Sequence, residues 1–249
     1  MRFLPLLLVF AFSSAAVQAA DITVSAAASL TNAFQEIGKD YEKKYPDAKV
    51  RFNFGGSGAL LQQIAKGAPV DVFASADQET MDKAQSAGLL HNASRTDFVR
   101  NDLVVVVPRH ASYRPSQLKD LNNAAIQKIA VGNPASVPVG RYTQATLEKA
   151  GLWQTLQPKV IMTQNVRQSL DYVARGEVEA GFVYGTDMAV ATDKVTGVMT
   201  VPTDKPITYP IATLKNSAQV AEAQRFVQYM LSPAAQKVLA KYGFRGVKK

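Results

Sequence analysis

The sequence has 249 residues, of which 47% are hydrophobic and 19% charged, and its formal net charge is +8. Cysteine is absent, which excludes a disulfide, a thiol nucleophile and a cysteine-ligated metal. His91 and His110 have no second ligand at metal-binding spacing, and the scattered basic residues lack interleaved aromatics, so neither a zinc site nor nucleic-acid binding is predicted. The composition is typical of one large globular domain or two smaller ones.

The N-terminus has the pattern of a secretory signal peptide. Arg2 precedes an apolar run over residues 4–12, and Val17-Gln18-Ala19 fits a small-x-Ala cleavage site. The run is shorter than the roughly 20 residues that a membrane-spanning helix needs. We therefore predict that residues 1–19 are removed, and that the mature chain is periplasmic without a lipid anchor, since no cysteine follows the site.

Strands alternate with helices along the mature chain, which predicts an α/β fold with parallel strands and βαβ crossovers. In the first part, the predicted strands are residues 22–25, 50–54 and 69–75, and the predicted helices are residues 30–45, 57–66 and 78–87. A valine-rich strand at residues 103–107 should be buried on both faces.

The same alternation continues after the valine-rich strand. The predicted strands are residues 129–131, 159–162, 180–184, 198–201 and 211–214, and the predicted helices are residues 115–121, 141–150, 165–175, 218–231 and 233–242. Because the last strand needs a sheet to join, we predict two lobes, the second inserted into the first. Lobe 1 comprises residues 20–101 and 211–249, and lobe 2 comprises residues 102–210.

Four strand-to-helix turns share one chemical character. They centre on Ser29, on Ser57 in the run Gly55-Gly56-Ser57-Gly58, on Val139-Gly140 and on Asn165-Val166. The first N–H groups of a helix lack partners within it, and together with the helix dipole they favour an anion. Each turn alone could be ordinary capping, but their recurrence predicts one anion site between the lobes. Tyr184, at the end of another strand, could add a third hydroxyl.

Such a site would be rich in donors, with no obvious buried cation and no obvious acceptor. It fits a fully deprotonated tetrahedral dianion, because a protonated oxyanion would need an acceptor for its O–H.

A serine hydrolase is the alternative from another functional class. Gly55-Gly56-Ser57-Gly58-Ala59 is close to the nucleophile motif G-x-S-x-G, but Ala59 replaces the last glycine. Such an enzyme would also need a histidine late in the chain, and both histidines lie before residue 111. Catalysis through Ser57 is therefore disfavoured, and we predict that the protein is not an enzyme.

The chain also resembles the periplasmic molybdate-binding proteins of bacterial ABC importers, from residue 22 to residue 244. The motifs that carry the resemblance are Ala26-Ala27-Ala28-Ser29-Leu30, Gly56-Ser57-Gly58-Ala59-Leu60, Asp71-Val72-Phe73-Ala74-Ser75-Ala76-Asp77, Val131-Gly132-Asn133-Pro134, Val137-Pro138-Val139-Gly140, Asn165-Val166-Arg167 and Val183-Tyr184-Gly185. The resemblance implies a two-lobed type II periplasmic binding protein fold, with mixed, mostly parallel sheets flanked by helices and a ligand cleft between the lobes.

The same resemblance implies the ligand and its contacts. Molybdate or tungstate would be bound through hydroxyl and main-chain N–H groups, with no direct bond from the protein to the metal and no cofactor. The implied contacts are Ser29, Ser57, Val139, Val166 and Tyr184, with Val139 in place of a frequent alanine.

The resemblance also implies a biological role and leaves alternatives. The protein would be a monomer that delivers the oxyanion to an ABC permease in the inner membrane. Binding of another tetrahedral oxyanion, such as sulfate, stays open. The effector domain of a transcription regulator has the same fold, but the signal peptide and the lack of a DNA-binding segment argue against it.

Overall fold

The computed structural model describes residues 20–247, which form two open mixed β-sheets flanked by helices. The predicted signal peptide lies outside the described residues. Within residues 20–247, no helix combines the length and the apolar character needed to cross a membrane. The strands are β1 Ala20–Ala27, β2 Ala48–Gly55, β3 Val72–Ala74, β4 Thr96–Asn101, β5 Leu103–Pro108, β6 Ile129–Gly132, β7 Val160–Thr163, β8 Ala180–Tyr184, β9 Val195–Val201, β10 Ile207–Thr213 and β11 Arg245–Gly246.

Helices cover the faces of both sheets. They are α1 Thr31–Lys44, α2 Ser57–Ala65, α3 Gln78–Ser86, α4 Pro138–Lys149, α5 Trp153–Leu156, α6 Val166–Ala174, α7 Gly185–Ala189, α8 Val220–Met230 and α9 Pro233–Lys241, with short 3-10 turns at Ala28–Leu30, Leu118–Asn122 and Gln157–Lys159. Side-chain capping defines where several of these helices begin. The side chains of Asp77, Asn165 and Ser232 accept hydrogen bonds from the first turns of α3, α6 and α9.

The chain crosses twice between the two sheets. The six-stranded sheet has the order β11-β4-β10-β3-β1-β2, and the five-stranded sheet has the order β7-β6-β8-β5-β9. Strand β4 runs into β5 at Asp102, and β9 runs back into β10 across residues 202–206. The six-stranded sheet belongs to lobe 1, and the five-stranded sheet belongs to lobe 2. The residue bounds of the lobes stay a prediction, and the strand positions favour a return near residue 206.

Register places the strand ends that matter for the site at one edge of each sheet. In lobe 1, β1 pairs parallel to β2 with Ala27 opposite Gly55, and parallel to β3 with Ala26 opposite Ala74. Ser29, Ser57 and Ala76 therefore each follow a strand end by the same two residues. In lobe 2, β6 is parallel to both β7 and β8, so those carboxyl ends also share one edge.

The structure differs from the predicted elements in a few places. Strand β4 was not predicted, because Phe98 and Val99 alone give it an apolar signal. Helix α4 begins at Pro138 rather than at residue 141, since proline suits the first helical position. The helix predicted over residues 115–121 is a short 3-10 turn. Both sheets contain antiparallel pairs, because the crossing strands β5 and β10 enter antiparallel to their neighbours, so parallel pairing is less dominant than predicted.

Candidate functional site

A small buried cavity lies where the strand ends of the two lobes meet. All five predicted site residues line it. The full lining is Ala27, Ala28, Ser29, Gly55, Gly56, Ser57, Ala76, Val137, Pro138, Val139, Val166 and Tyr184. The predicted residues are at most 4% exposed. The structure therefore brings together residues from four turns and one strand end that are spread over more than half of the chain.

Ser57 is the first residue of α2, and its side chain has a defined hydrogen-bonding direction. Gly56, in extended conformation, precedes the helix. The Ser57 Oγ accepts a hydrogen bond from the backbone N–H of Ala76 at 3.1 Å. An amide N–H can only donate, so the serine oxygen accepts and its own hydrogen remains free. Since Ser57 lines the cavity, that hydrogen can be donated into it.

Ser29 occupies the equivalent position after β1, in the 3-10 turn Ala28–Leu30 that leads into α1. Its Oγ lies 3.0 Å from the Oη of Tyr209, a buried residue of β10. Two hydroxyls face each other here, so this distance alone does not say which one donates. Ser29 is nonetheless the second hydroxyl of lobe 1 at the cavity wall.

Lobe 2 contributes two helix N-termini. Val139 is the second residue of α4, after Pro138, and Val166 is the first residue of α6. At these positions a backbone N–H has no acceptor within its own helix. The Asn165 side chain caps α6 through the N–H of Gln168 at 3.1 Å, and so does not use the N–H of Val166. Both residues line the cavity, which therefore lies at the N-terminal, positive ends of two helix dipoles.

Tyr184 ends β8, and its phenol has no hydrogen-bond partner among residues 20–247, although it is buried. A buried hydroxyl without a partner is costly, by about 1–3 kcal/mol. Burial raises the pKa of Tyr184 well above its usual value, so the phenol keeps its hydrogen. Because Tyr184 lines the cavity, this hydroxyl is available as a donor to a bound group.

The cavity is uncharged and small. Every residue that lines it is apolar, glycine, serine or tyrosine, so within the described chain no lysine, arginine or carboxylate side chain borders it. It leaves about 10 Å³ for the centre of a water-sized sphere. One such sphere needs on the order of 10–15 Å³. The space therefore corresponds to about one water molecule and excludes a sugar or a peptide.

Backbone contacts close the lobes tightly around the cavity. The N–H of Gly58 in α2 donates to the carbonyl of Ser136 in lobe 2 at 2.9 Å. A Cβ at Gly58 would lie 2.6 Å from that same oxygen, and a Cβ at Gly56 would lie 2.6 Å from the carbonyl oxygen of Gln164. Glycine at both positions is thus required for the lobes to approach this closely.

An ion pair next to the cavity also joins the lobes. The Arg141 guanidinium in α4 bonds the Asp77 carboxylate, with Nε–Oδ2 and Nη2–Oδ2 distances of 2.8 and 2.7 Å. It also donates to the Thr80 hydroxyl at 2.7 Å. The two charged side chains are 15% and 5% exposed. Opening the lobes would break this pair and return both charges to water.

Comparisons with known proteins identify the family of the chain. The family model described as a bacterial extracellular solute-binding protein matches residues 22–245. The chain belongs to this family. It is 39% identical over 229 residues to the molybdate-binding protein ModA of Escherichia coli (strain K12), across 90% of this chain and 88% of that one.

Further relatives extend the agreement to the fold. The solute-binding protein described here is 35% identical over 237 residues to the molybdate-binding protein ModA of Haemophilus influenzae, covering 94% and 92% of the two chains. The structure of the Azotobacter vinelandii periplasmic molybdate-binding protein superposes with a TM-score of 0.82 at 25% identity, covering 91% of this chain and 100% of that one. The predicted family resemblance and the two-lobed fold are confirmed.

Four residues near the site of this solute-binding protein were not predicted. Asp77 and Arg141 join the lobes, and Asn101 and Tyr209 connect to Ser29. Asp77 and Arg141 lie within or beside the quoted motifs but carry no local sign of pairing with each other. Tyr209 lies before the predicted start of its strand at residue 211. Contacts over such sequence separations leave no short-range pattern.

Proposed function

We propose that this solute-binding protein captures molybdate or tungstate in the periplasm and delivers it to the permease of an ABC transporter. The observation that carries the proposal is the uncharged cavity lined by hydroxyls and helix N-termini from both lobes. The relatives from Escherichia coli and Haemophilus influenzae, both named molybdate-binding proteins, support the choice of ligand. The proposed contacts are Ser29, Ser57, Val139, Val166 and Tyr184, acting on the oxygens of the anion with no direct bond to molybdenum.

Donors alone can hold such an anion. Each hydrogen bond to a charged oxygen contributes about 1.5–3 kcal/mol, so half a dozen would contribute roughly 9–18 kcal/mol before dehydration and closure costs. The Ser57 hydroxyl is already an acceptor for Ala76, and backbone amides cannot accept. Only hydroxyl lone pairs are left to accept from an oxyanion that keeps a proton, and no carboxylate side chain of the described residues lines the cavity. The wall favours a fully deprotonated dianion.

Closure of the lobes would complete the site and exclude water. The contacts of Gly58 with Ser136 and of Arg141 with Asp77 support a closed arrangement that forms around the ligand. In this proposal the protein acts as a monomer after removal of its signal peptide. The permease would bind the closed form and draw the lobes apart.

Binding without catalysis is part of the same proposal. A serine hydrolase would need a base within hydrogen-bond reach of Ser57. The Ser57 oxygen instead accepts from a backbone amide, and neither histidine lines the cavity. An ester-substrate assay tests the enzymatic alternative.

Calorimetric titration with molybdate, tungstate, sulfate and phosphate tests the proposed function. We expect molybdate and tungstate to bind tightly and with similar affinity, because both are nearly isosteric dianions. Sulfate, the alternative ligand, is smaller and should bind more weakly, and phosphate should be weakest in mildly acidic buffer because it retains protons. Equal affinity for sulfate and molybdate, or no heat with molybdate, would remove the proposal.

Replacing Ser57 with alanine should weaken molybdate binding by about 1–3 kcal/mol, because one ligand oxygen loses its donor. The same titration measures the loss. The matched control is Ser86→Ala, which removes an exposed hydroxyl at the end of α3 in the same lobe and should leave the affinity unchanged. A Ser57→Ala variant with wild-type affinity would show that the hydroxyl does not contact the ligand.

A further inference from the structure

The Ser29 hydroxyl is the end of a chain of buried hydrogen bonds that begins where the polypeptide crosses between the lobes. Asn101 is the last residue of β4, and its Nδ2 lies 3.1 Å from the Tyr209 Oη and 2.9 Å from the Thr186 Oγ1. The Tyr209 Oη in turn lies 3.0 Å from the Ser29 Oγ. All four side chains are buried.

The orientation of the Asn101 amide follows from its neighbour. Its Oδ1 accepts a hydrogen bond from the backbone N–H of Asp102 at 2.9 Å. A backbone N–H can only donate, so the oxygen of the amide must face Asp102 and the nitrogen must face Tyr209 and Thr186. The two hydrogens of that nitrogen are matched by two hydroxyl oxygens.

The direction of every later bond in the chain is then determined. Since the Asn101 Nδ2 donates to the Tyr209 Oη, the Tyr209 oxygen is an acceptor at that contact. Its single hydrogen bonds its other partner, the Ser29 Oγ, because this fully buried hydrogen would otherwise have no acceptor. Burial raises the pKa of Tyr209 well above its usual value, so the phenol retains that hydrogen. Ser29 is therefore an acceptor toward Tyr209.

The hydrogen of the Ser29 hydroxyl is available to the cavity. Within residues 20–247, the Ser29 side chain makes this one hydrogen bond, so its own hydrogen is free to point into the cavity that Ser29 lines. The Ser57 hydroxyl likewise keeps its hydrogen free, because its oxygen accepts from the backbone amide of Ala76. Ser29 has no such amide and depends on two distant side chains instead.

We propose that Asn101 and Tyr209 are positioning residues that hold the Ser29 hydroxyl as a hydrogen-bond donor toward the bound oxyanion. Neither residue lines the cavity, and both act by setting the direction in which Ser29 can bond. This inference rests on the proposed function, because it names how one contact of that site selects a deprotonated anion over a protonated one. Without the Tyr209 O–H, the Ser29 oxygen has a further lone pair free and can accept a hydrogen bond from a protonated ligand oxygen.

A double-mutant cycle on molybdate affinity tests the inference. The variants are Tyr209→Phe, Ser29→Ala and the double variant, measured by calorimetry. Phenylalanine retains the ring that packs on Tyr184, with centroids 5.7 Å apart, and removes the hydroxyl alone. We expect Tyr209→Phe to weaken binding ~5-fold when Ser29 is present and less than ~2-fold when it is alanine.

A selectivity measurement separates positioning from a structural role. In mildly acidic buffer, the ratio of molybdate to phosphate affinity should fall in Tyr209→Phe, because a freed Ser29 can accept from a protonated oxygen. A structural defect would lower the affinities for molybdate and for phosphate by the same factor. The matched control is Tyr242→Phe, which loses a hydroxyl bonded to Glu36 at 2.7 Å, away from the cavity, and should change neither value.

The outcomes are distinct from those for the proposed function. If the wild-type protein binds no molybdate, the proposed function fails before any variant is compared. If it binds, an equal loss from Tyr209→Phe with and without the Ser29 hydroxyl, or no loss in either background, overturns the inference. Should Tyr209→Phe not fold, Asn101→Leu removes the donor that orients Tyr209 and is expected to show the same dependence on Ser29.

Discussion

Replacing Arg141 with leucine should weaken molybdate binding by about 3 kcal/mol, or ~100-fold. In the structure, Arg141 neutralises the Asp77 carboxylate across the lobe interface, and the Asp77 side chain is 5% exposed. Breaking a buried ion pair by removing one partner costs about 3–5 kcal/mol, because the other charge stays buried. We place the effect at the lower end, since Thr80 N–H and Ser75 Oγ also bond Asp77.

Replacing Arg141 should make closure of the lobes less favourable and should leave folding of each lobe nearly unchanged. When the lobes separate, the Asp77 carboxylate can regain water, so the ligand-free protein should lose little unfolding free energy. Calorimetry gives the affinity, and thermal unfolding with and without molybdate gives the stability of each form. Small-angle scattering should show that the variant needs more molybdate to reach the compact state.

A control within one lobe makes this prediction specific. Arg225 pairs with the buried Glu222 on α8, and both belong to lobe 1. Arg225→Leu should therefore lower the unfolding free energy and leave the molybdate affinity unchanged. If Arg141→Leu instead behaves like Arg225→Leu, the ion pair between Arg141 and Asp77 has no part in closure.

The strand-to-helix turns that line the cavity could be predicted from the sequence, because the residues that form each turn are close together in the chain. A run such as Phe52 to Leu60 contains the strand, the glycine turn and the helix start within a few residues. Parallel pairing then brings Ser29 and Ser57 to the same edge, since Ala27 lies opposite Gly55. The turns at Val139-Gly140 and Asn165-Val166 followed from the same kind of pattern, although α4 begins at Pro138, three residues before its predicted start.

The contact between Tyr209 and Ser29 could not be predicted, because the two residues are far apart in the sequence. Tyr209 is 180 residues from Ser29, and its strand was predicted to begin only after Pro210. Proline ordinarily interrupts a strand, because it has no N–H for the ladder. Here β10 continues through Pro210, since its register with β4 shifts between Tyr209 and Pro210. The strand start, and with it Tyr209, was therefore missed.

The direction of hydrogen bonds is a further property that sequence patterns do not contain. Serine can donate and accept, so the residue type at Ser29 or Ser57 leaves its role undetermined. The role is set by the neighbours, which are the Ala76 amide for Ser57 and the Asn101–Tyr209 pair for Ser29. A prediction of donors at these serines therefore needed the tertiary structure to support it.

Replacing Tyr184 with phenylalanine should weaken molybdate binding by about 1.5–3 kcal/mol, because a hydrogen bond to a charged oxygen is lost. The phenol has no partner within residues 20–247 and borders the cavity, so the bound anion is the acceptor that would satisfy it. Titration calorimetry measures the loss for molybdate and tungstate alike.

The same variant should not lose stability without ligand, and this separates a binding role from a structural one. An unpaired buried hydroxyl contributes nothing favourable to the ligand-free fold, so its removal should leave the melting temperature equal or slightly higher. The matched control is Tyr172→Phe in lobe 2, where the Tyr172 Oη accepts from the Gln168 side chain at 3.2 Å. That variant should keep wild-type affinity. A Tyr184→Phe protein that melts lower without ligand and binds molybdate normally would assign Tyr184 to packing, and would leave the cavity with donors from Ser29, Ser57 and the helix starts alone.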